Sequence, residues 1–159
     1  MAALIPGKAV GDSTGHVQFP LQPSFRATVN ASQDNIATDS TVTIVFGAEA
    51  YDTNADFASN TFTAPVDGKY ILTANVYYQN LDSGCAHITQ KLATSNEDYV
   101  TSVDPNTMYT ADVAFITLNM SHVCDMDAGD TASVTIYLDG GAAQMDINSS
   151  SNFSGALVC

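Results

Sequence analysis

Basic residues are scarce in this chain of 159 residues. Four lysines and arginines stand against seventeen aspartates and glutamates, and the formal net charge is −13 at pH 7. Proteins bind nucleic acid by neutralising phosphates with clustered basic side chains, so the sequence argues against nucleic-acid binding. The charge also opposes contact with an anionic membrane, and no run approaches the roughly 18 apolar residues of a membrane span.

The first residues of the sequence also lack the features of a secretory signal. Residues 1–15 have no basic region and no sustained apolar run, and Pro6 interrupts them, which is unlike a signal peptide. We therefore expect a protein that is made in a cytoplasm. Cys85, Cys124 and Cys159 are an odd number without C-x-x-C spacing, which favours buried free thiols over a disulfide.

Motifs of the common catalytic centres are absent. His16, His87 and His122 are scattered, with no H-E-x-x-H motif and no cysteine partner at zinc spacing. There is no G-x-S-x-G elbow, phosphate-binding loop or dinucleotide fingerprint. The sequence therefore predicts that the protein is not an enzyme.

Alternation with a period of two dominates the chain from Ser24 onward. Phe25, Ala27 and Val29 alternate with more polar residues, and turn residues separate this segment from several similar ones. This pattern predicts an all-β sandwich over residues 24–159. Two segments depart from the pattern. Residues 95–106 are polar and are predicted to be a connecting loop, and residues 1–23 are rich in Gly and Pro without an apolar period.

The segment 1–23 is predicted to be an extended arm. It is either an unstructured terminus or an anchor that becomes ordered on a partner. In the second case the candidate anchoring side chains are Leu4, Ile5, Val10, Val17 and Phe19.

The strand predicted over residues 109–123 differs from the others because both of its faces are largely apolar or small. Ile116 and Leu118 point to one side, and Val113 and Phe115 point to the other. By contrast, the strand predicted over residues 131–138 has one polar face. A strand that is apolar on both sides is typical of a sheet covered on both faces, and a second copy of the chain would provide the second cover most simply.

Three ordered motifs carry a resemblance to a known family. They are Phe46, Asp52, Phe57, Phe62, Gly68 and Tyr70 at characteristic spacing, the turn Asp127-Ala128-Gly129-Asp130-Thr131, and the ending Ser151-Asn152-Phe153-Ser154-Gly155-Ala156-Leu157-Val158. Over residues 24–158 the chain resembles the globular head domain of complement C1q, within the superfamily that includes tumour necrosis factor. The resemblance implies a ten-strand jelly roll that assembles as a homotrimer. It places Val113, Phe115, Phe153 and Leu157 near the subunit contacts, with burial in the monomer core as the alternative for each.

No collagen repeat precedes the domain, and in this the chain is similar to bacterial and bacteriophage members of the family. That resemblance implies a trimeric structural protein of a phage virion. Such a protein would decorate or cement the capsid, or tip a tail fibre, with the arm bound to a capsid or tail protein on the virion surface. The alternative is a secreted recognition module that binds a host-surface glycan or protein through its apical loops.

Two acidic segments are candidate Ca²⁺ sites. Asp52-x-Asn54-x-Asp56 copies the first half of an EF-hand loop, but Phe57 replaces the required glycine and Thr63 the bidentate glutamate, so an EF-hand is rejected. The second segment has the carboxylates Asp125, Asp127 and Asp130. Calcium in some family members favours this second site, with solvated loop carboxylates as the alternative.

Tyrosines near the predicted loops are candidate ligand contacts, because exposed tyrosine suits binding to glycans and proteins. These are Tyr78, Tyr99 and Tyr109. The alternative is that they pack along the edge of the sandwich.

Overall fold

The computed structural model describes residues 10–11, 15, 17–19 and 21–158. Apart from one short helix, α1 (Pro105–Met108), the regular structure of these residues is β-strand. The strands are β1 (Val10–Gly11), β2 (Val17–Gln18), β3 (Ser24–Thr28), β4 (Thr41–Thr43), β5 (Ala48–Asp52), β6 (Phe57–Ala58), β7 (Thr61–Thr63), β8 (Gly68–Leu81), β9 (His87–Thr94), β10 (Asp98–Val103), β11 (Val113–Met126), β12 (Thr131–Asp139), β13 (Asp146–Ile147) and β14 (Asn152–Leu157). No helix among the described residues is long and apolar enough to cross a membrane.

Two antiparallel sheets form the sandwich. The front sheet has the strand order β11-β8-β14-β3-β5, with β13 also paired to β8. The back sheet has the order β10-β9-β12-β7-β6, with β4 also paired to β12. The all-β jelly roll that the sequence and the family resemblance predicted is confirmed, with six strands in each of the two sheets.

Alternating side chains explain how the sheets pack. Along β8, every second residue from Tyr70 to Tyr78 is buried. At the centre of the core, the ring of Phe25 stacks on Phe62 with centroids 4.7 Å apart and meets Phe153 edge-on at 5.0 Å. Burial of such rings is the largest favourable contribution to folding.

Gly155 in β14 is required by the same packing. A Cβ atom at this position would lie 2.5 Å from Leu72 Cδ2 and 2.8 Å from Phe25 Cε1. Both distances are far below van der Waals contact, so only glycine lets β14 approach the core this closely. The glycine of the C-terminal motif therefore has a packing role.

A polar pair is sealed inside the sandwich. The hydroxyl of Tyr78 donates to Gln90 Oε1 at 2.8 Å, and both side chains are fully buried. Burial raises the pKa of Tyr78 well above its usual value, and Gln90 Nε2 has no hydrogen-bond partner among the described residues. The expectation that Tyr78 belongs to a ligand-binding loop is wrong, because its side chain points inward from β8.

Residues 95–106 are another correction, since half of this predicted loop is strand β10. β10 pairs with β9 over six residues, and Tyr99, Thr101 and Val103 alternate towards the core side of the sheet. The polar composition concealed the period of two.

The described part of the arm contains the pair β1–β2, which joins Val10 to Gln18. Farther along, Phe19 and Leu21 line a cavity of about 610 Å³ together with Leu157 and Val158. Among the predicted anchoring residues, Leu4 and Ile5 lie outside the described residues. Cys159 also lies outside them, while Cys85 and Cys124 are buried free thiols.

Candidate assembly surface

The outward side of the front sheet forms a continuous surface across β11, β8, β14 and β3, which we call the front face. Strand register brings residues from distant parts of the chain into rows on this face. Three of the rows are Asn119–Asn75–Asn152, Ser121–Thr73–Ser154–Arg26 and Val123–Ile71–Ala156. Thr73 and Ser121 are also joined by a hydrogen bond of 3.0 Å.

Exposed apolar side chains lie at both ends of the front face. At one end Phe115 is 61% exposed and leans against Tyr77, with ring centroids 5.9 Å apart. At the other end Ile71 is 41% and Val123 58% exposed. Exposed aromatic and branched residues around a polar centre are typical of a surface that another molecule covers.

Carboxylates are nearly excluded from this surface, although the chain has seventeen. Strands β8 and β14 contain none, and β11 contains only Asp125, which pairs with Lys69 at 3.1 Å. The remaining charged side chain of the front face is Arg26 in β3. Depletion of charge is the compositional mark of the core of a protein interface.

The front face ends at an open edge of the sandwich. Within the part of the chain that the structure describes, β11 pairs only with β8 and β10 only with β9, so each is an edge strand, and the two lie side by side. The ring of Tyr99 stacks on His122 at 4.4 Å and closes the gap between them. Burial, together with Cys124 and Glu97, raises the pKa of Tyr99 to about 12. We call this region the β10–β11 edge.

Neither edge strand is protected in the usual way. β11 is fourteen residues long, and neither strand contains lysine or proline, the residues that commonly block pairing at a sheet edge. A long edge of this kind needs a cover.

The C1q domain model matches residues 24–158 of the chain. The chain belongs to the C1q domain family. Its fold is similar to the globular domain of zebrafish complement 1qA protein, with a TM-score of 0.60 at 19% identity over 87% of this chain and 98% of that one. It is also similar to murine APRIL at pH 8.0, with a TM-score of 0.62 at 8% identity over 86% of this chain and 99% of that one. No curated protein matches the sequence.

Within this C1q domain, the four residues predicted at subunit contacts have different positions. Phe115 lies on the front face, Val113 is half-buried at the start of β11, and Leu157 is half-buried beside the cavity. The prediction for Phe153 is corrected, since its side chain is 0% exposed. It packs among the rings of the core and offers no surface to a second molecule.

Two of the three carboxylates proposed for calcium have separate partners. Asp125 pairs with Lys69. Asp130 Oδ2 accepts hydrogen bonds from the backbone N–H of Asp127 at 2.8 Å and from Asn96 Nδ2 at 2.6 Å, and these bonds lower the pKa of Asp130. Among the described residues no group of three acidic, histidine or cysteine side chains is arranged to hold a metal ion.

The other loop carboxylates also accept backbone N–H groups. Asp52 accepts hydrogen bonds from the backbone N–H of Asp56 at 3.0 Å and of Phe57 at 2.8 Å, so the half EF-hand segment is a self-contained turn.

Of the remaining tyrosines, Tyr99 lies in the β10–β11 edge, as the edge-packing alternative predicted, and Tyr109 is half-buried after α1. Sequence reasoning missed Ile71, Val123 and Arg26 as surface residues, although alternation along their strands would have placed them on one face.

Proposed function

We propose that this C1q domain protein is a non-catalytic homotrimer that serves as a structural and recognition module. In the trimer, the β10–β11 edge of each copy packs against the front face of the next copy, with the strands running along the three-fold axis. The observation that carries the proposal is a front face with exposed Phe115 and Val123 and almost no carboxylate, in a chain with a net charge of −13.

Charge placement supports self-association in particular. Two copies that each carry a net charge of −13 repel one another, and like charges brought together in an interface cost several kcal/mol. A surface with almost no carboxylate reduces this cost at the contact itself. If this surface bound a partner rich in basic groups, we would instead expect the surface to be acidic.

The edge and the face are different surfaces, so contact between them is heterologous. Heterologous contacts close into rings when the rotation fits, and a ring leaves no β10–β11 edge open. The three-fold number is the one that the resemblance to the C1q family implies.

The biological setting of the trimer is a further part of the proposal. The first setting is the surface of a phage particle, as a capsid decoration or fibre tip anchored through residues 1–23. The second is a free recognition module whose loops bind a glycan or protein. Electron microscopy of particles would separate them, because bound trimers are expected only in the first.

Sedimentation equilibrium tests the assembly directly. We expect a species of three times the 16.7 kDa chain mass at micromolar concentration. A monomer at that concentration would overturn the proposal. A dimer would show that the front face is self-complementary and would contradict the edge-to-face arrangement.

A further inference from the structure

The cavity of about 610 Å³ lies at the end of the sandwich where β8 begins and β14 ends. Leu157 in β14 lies on the same side of its strand as the buried Phe153, packs against the core and lines the cavity. Pro65 and Val66, which precede β8, line it as well. The cavity is therefore an opening at one end of the hydrophobic core, and we call it the base cavity.

The segment 19–23 forms another side of the base cavity, and hydrogen bonds fix its position. The N–H of Leu157 donates to the carbonyl of Pro23 at 3.0 Å. Asn54 Nδ2 donates to the carbonyl of Leu21 at 3.2 Å. Because these bonds connect the segment to β14 and to the loop after β5, the cavity is already formed without a ligand, as is usual for binding sites for small molecules.

The walls of the base cavity are apolar and carry no charge. Phe19, Leu21, Val66 and Val158 line it, and each of these side chains is between 46% and 56% exposed. Apolar side chains that remain open to water together in one place are typical of a binding site. None of the described lining residues has a charged side chain, so a charged ligand would lose its hydration there without gaining a partner. We therefore expect an uncharged ligand.

Two amide side chains supply the polar part of the base cavity. Gln22 Nε2 donates to the carbonyl of Leu157, and Asn54 Nδ2 donates to the carbonyl of Leu21. No described residue donates a hydrogen bond to the side-chain oxygen of Gln22 or Asn54, so both oxygens remain available as acceptors. A ligand that carries a hydroxyl or an N–H group would match them.

The size of the base cavity favours a small molecule over a second chain. Its volume of about 610 Å³ lies within the range of roughly 300–1,000 Å³ that is typical of small-molecule sites. Nine described residues line it, whereas a stable protein interface uses about 20–30 residues from each partner.

We propose that the base cavity binds a small uncharged amphiphile, with an apolar chain or ring in contact with Leu157 and Val66 and one hydroxyl or N–H group that donates to Gln22 or Asn54. The inference goes beyond the proposed function. It does not depend on the trimer, because the described lining residues all belong to one chain.

A fluorescence titration with N-phenyl-1-naphthylamine tests the proposal. This probe is uncharged, carries one N–H group and becomes more fluorescent in apolar surroundings. We expect saturable binding to a single site per chain and displacement of the probe by 1-decanol. Decanoate at pH 7 should displace it at least about tenfold less effectively, because its carboxylate would be desolvated without a partner.

A charge in the wall of the base cavity provides the matched mutational test. Val66→Glu should weaken binding of the probe by at least about tenfold. Val45→Glu is the control, because Val45 is 43% exposed, close to the 46% of Val66, and is not among the described lining residues. It should bind the probe as tightly as wild type. Thermal unfolding of each variant confirms that the domain remains folded.

Several outcomes would overturn the proposal. They are the absence of saturable binding, equal displacement by 1-decanol and decanoate, and unchanged affinity in Val66→Glu. If the probe binds only to the double variant Leu4→Asp/Ile5→Asp, the chain's own terminus fills the cavity, which also overturns it. Sedimentation of the same samples separates this inference from the proposed function, since a monomer that binds the probe overturns only the trimer.

Discussion

The front and back sheets each turn one face inward and one outward, but the outward faces carry different side chains. On the back sheet, β12 presents Thr135 and Tyr137, and two ion pairs cross this surface, Lys91–Asp98 at 2.8 Å and His87–Asp139 at 3.2 Å. The front face carries Asn and Ser in its centre and apolar residues at its ends.

The difference shows how one strand pattern can serve two environments. Ion pairs on an open surface contribute little to stability but keep a face hydrated and soluble. The described residues of the back sheet form two such pairs, whereas those of the front face form one, Lys69–Asp125 at its margin, and none across the rows at its centre. Because the period of two is the same in both sheets, the distinction lies in which side chains occupy the outward positions.

The substitution expected to have the largest effect on assembly is Phe115→Asp on the front face. Three buried carboxylates would enter the trimer, and we expect its dissociation constant to rise by at least about 100-fold, since desolvation of an unpaired charge is very costly. Mass photometry over a concentration series measures the change. Thr43→Asp on the back sheet adds the same charge at an exposed position and should have no effect. Unchanged assembly of Phe115→Asp would show that the two faces are equivalent.

A smaller effect is expected at the centre of the front face. Asn75→Asp adds one carboxylate to the row Asn119–Asn75–Asn152, and repulsion between like charges should weaken the trimer about tenfold. High salt should reduce the effect because it screens the repulsion. Thr135→Asp, on β12 of the back sheet, is the control. Equal responses of the two variants would contradict the assignment of the face.

The interior between the sheets should respond differently from either face. Tyr78→Phe leaves Gln90 without its hydrogen bond and should lower the free energy of unfolding by roughly 1–3 kcal/mol, as measured by urea denaturation. Adding Gln90→Leu removes the stranded amide and should recover much of the loss. A double variant as unstable as the single one would show that the pair does not act as a unit.

The smallest expected effect is on the stability of the fold at acidic pH. Hydrogen bonds from the backbone and side chain of Ser83 and from Gln144 lower the pKa of Asp112, and the pKa of Asp130 is lowered similarly. Both groups therefore stabilise the fold above the unfolded pKa of about 3.9, and this contribution disappears as pH falls through the lowered folded values. Scanning calorimetry between about pH 6 and 3 should show less acid sensitivity after Asp112→Asn and Asp130→Asn. A profile that both substitutions leave unchanged would show that these two carboxylates do not contribute to the acid sensitivity.

Much of the fold could be predicted because hydrophobic alternation is a local property. Phe25, Ala27 and Val29 are buried as their period predicted, and β8 is a strand for the same reason. β10 was missed because its core-side residues Tyr99 and Thr101 are polar, and its identity depends on pairing with β9 rather than on its own composition.

The candidate site was only partly predictable. Alternation predicted that Phe115 and Ile116 point to opposite faces of their strand. Because both faces of this strand are largely apolar, the sequence indicated a covered surface. Phe153 was placed at a contact because a single strand does not reveal whether its neighbours fill the space above an aromatic ring. Three rings of the core, those of Phe25, Phe46 and Phe57, surround it, and they come from distant segments.

The sequence by itself determined the class of fold, the turns between strands and the excess of negative charge, because each depends on residues close in the chain. Only the tertiary structure decided which surface of the protein has almost no carboxylate. The row that joins Arg26, Thr73, Ser121 and Ser154 exists because antiparallel register aligns four strands. A surface is a property of such alignments, so its chemistry cannot be read from any one strand.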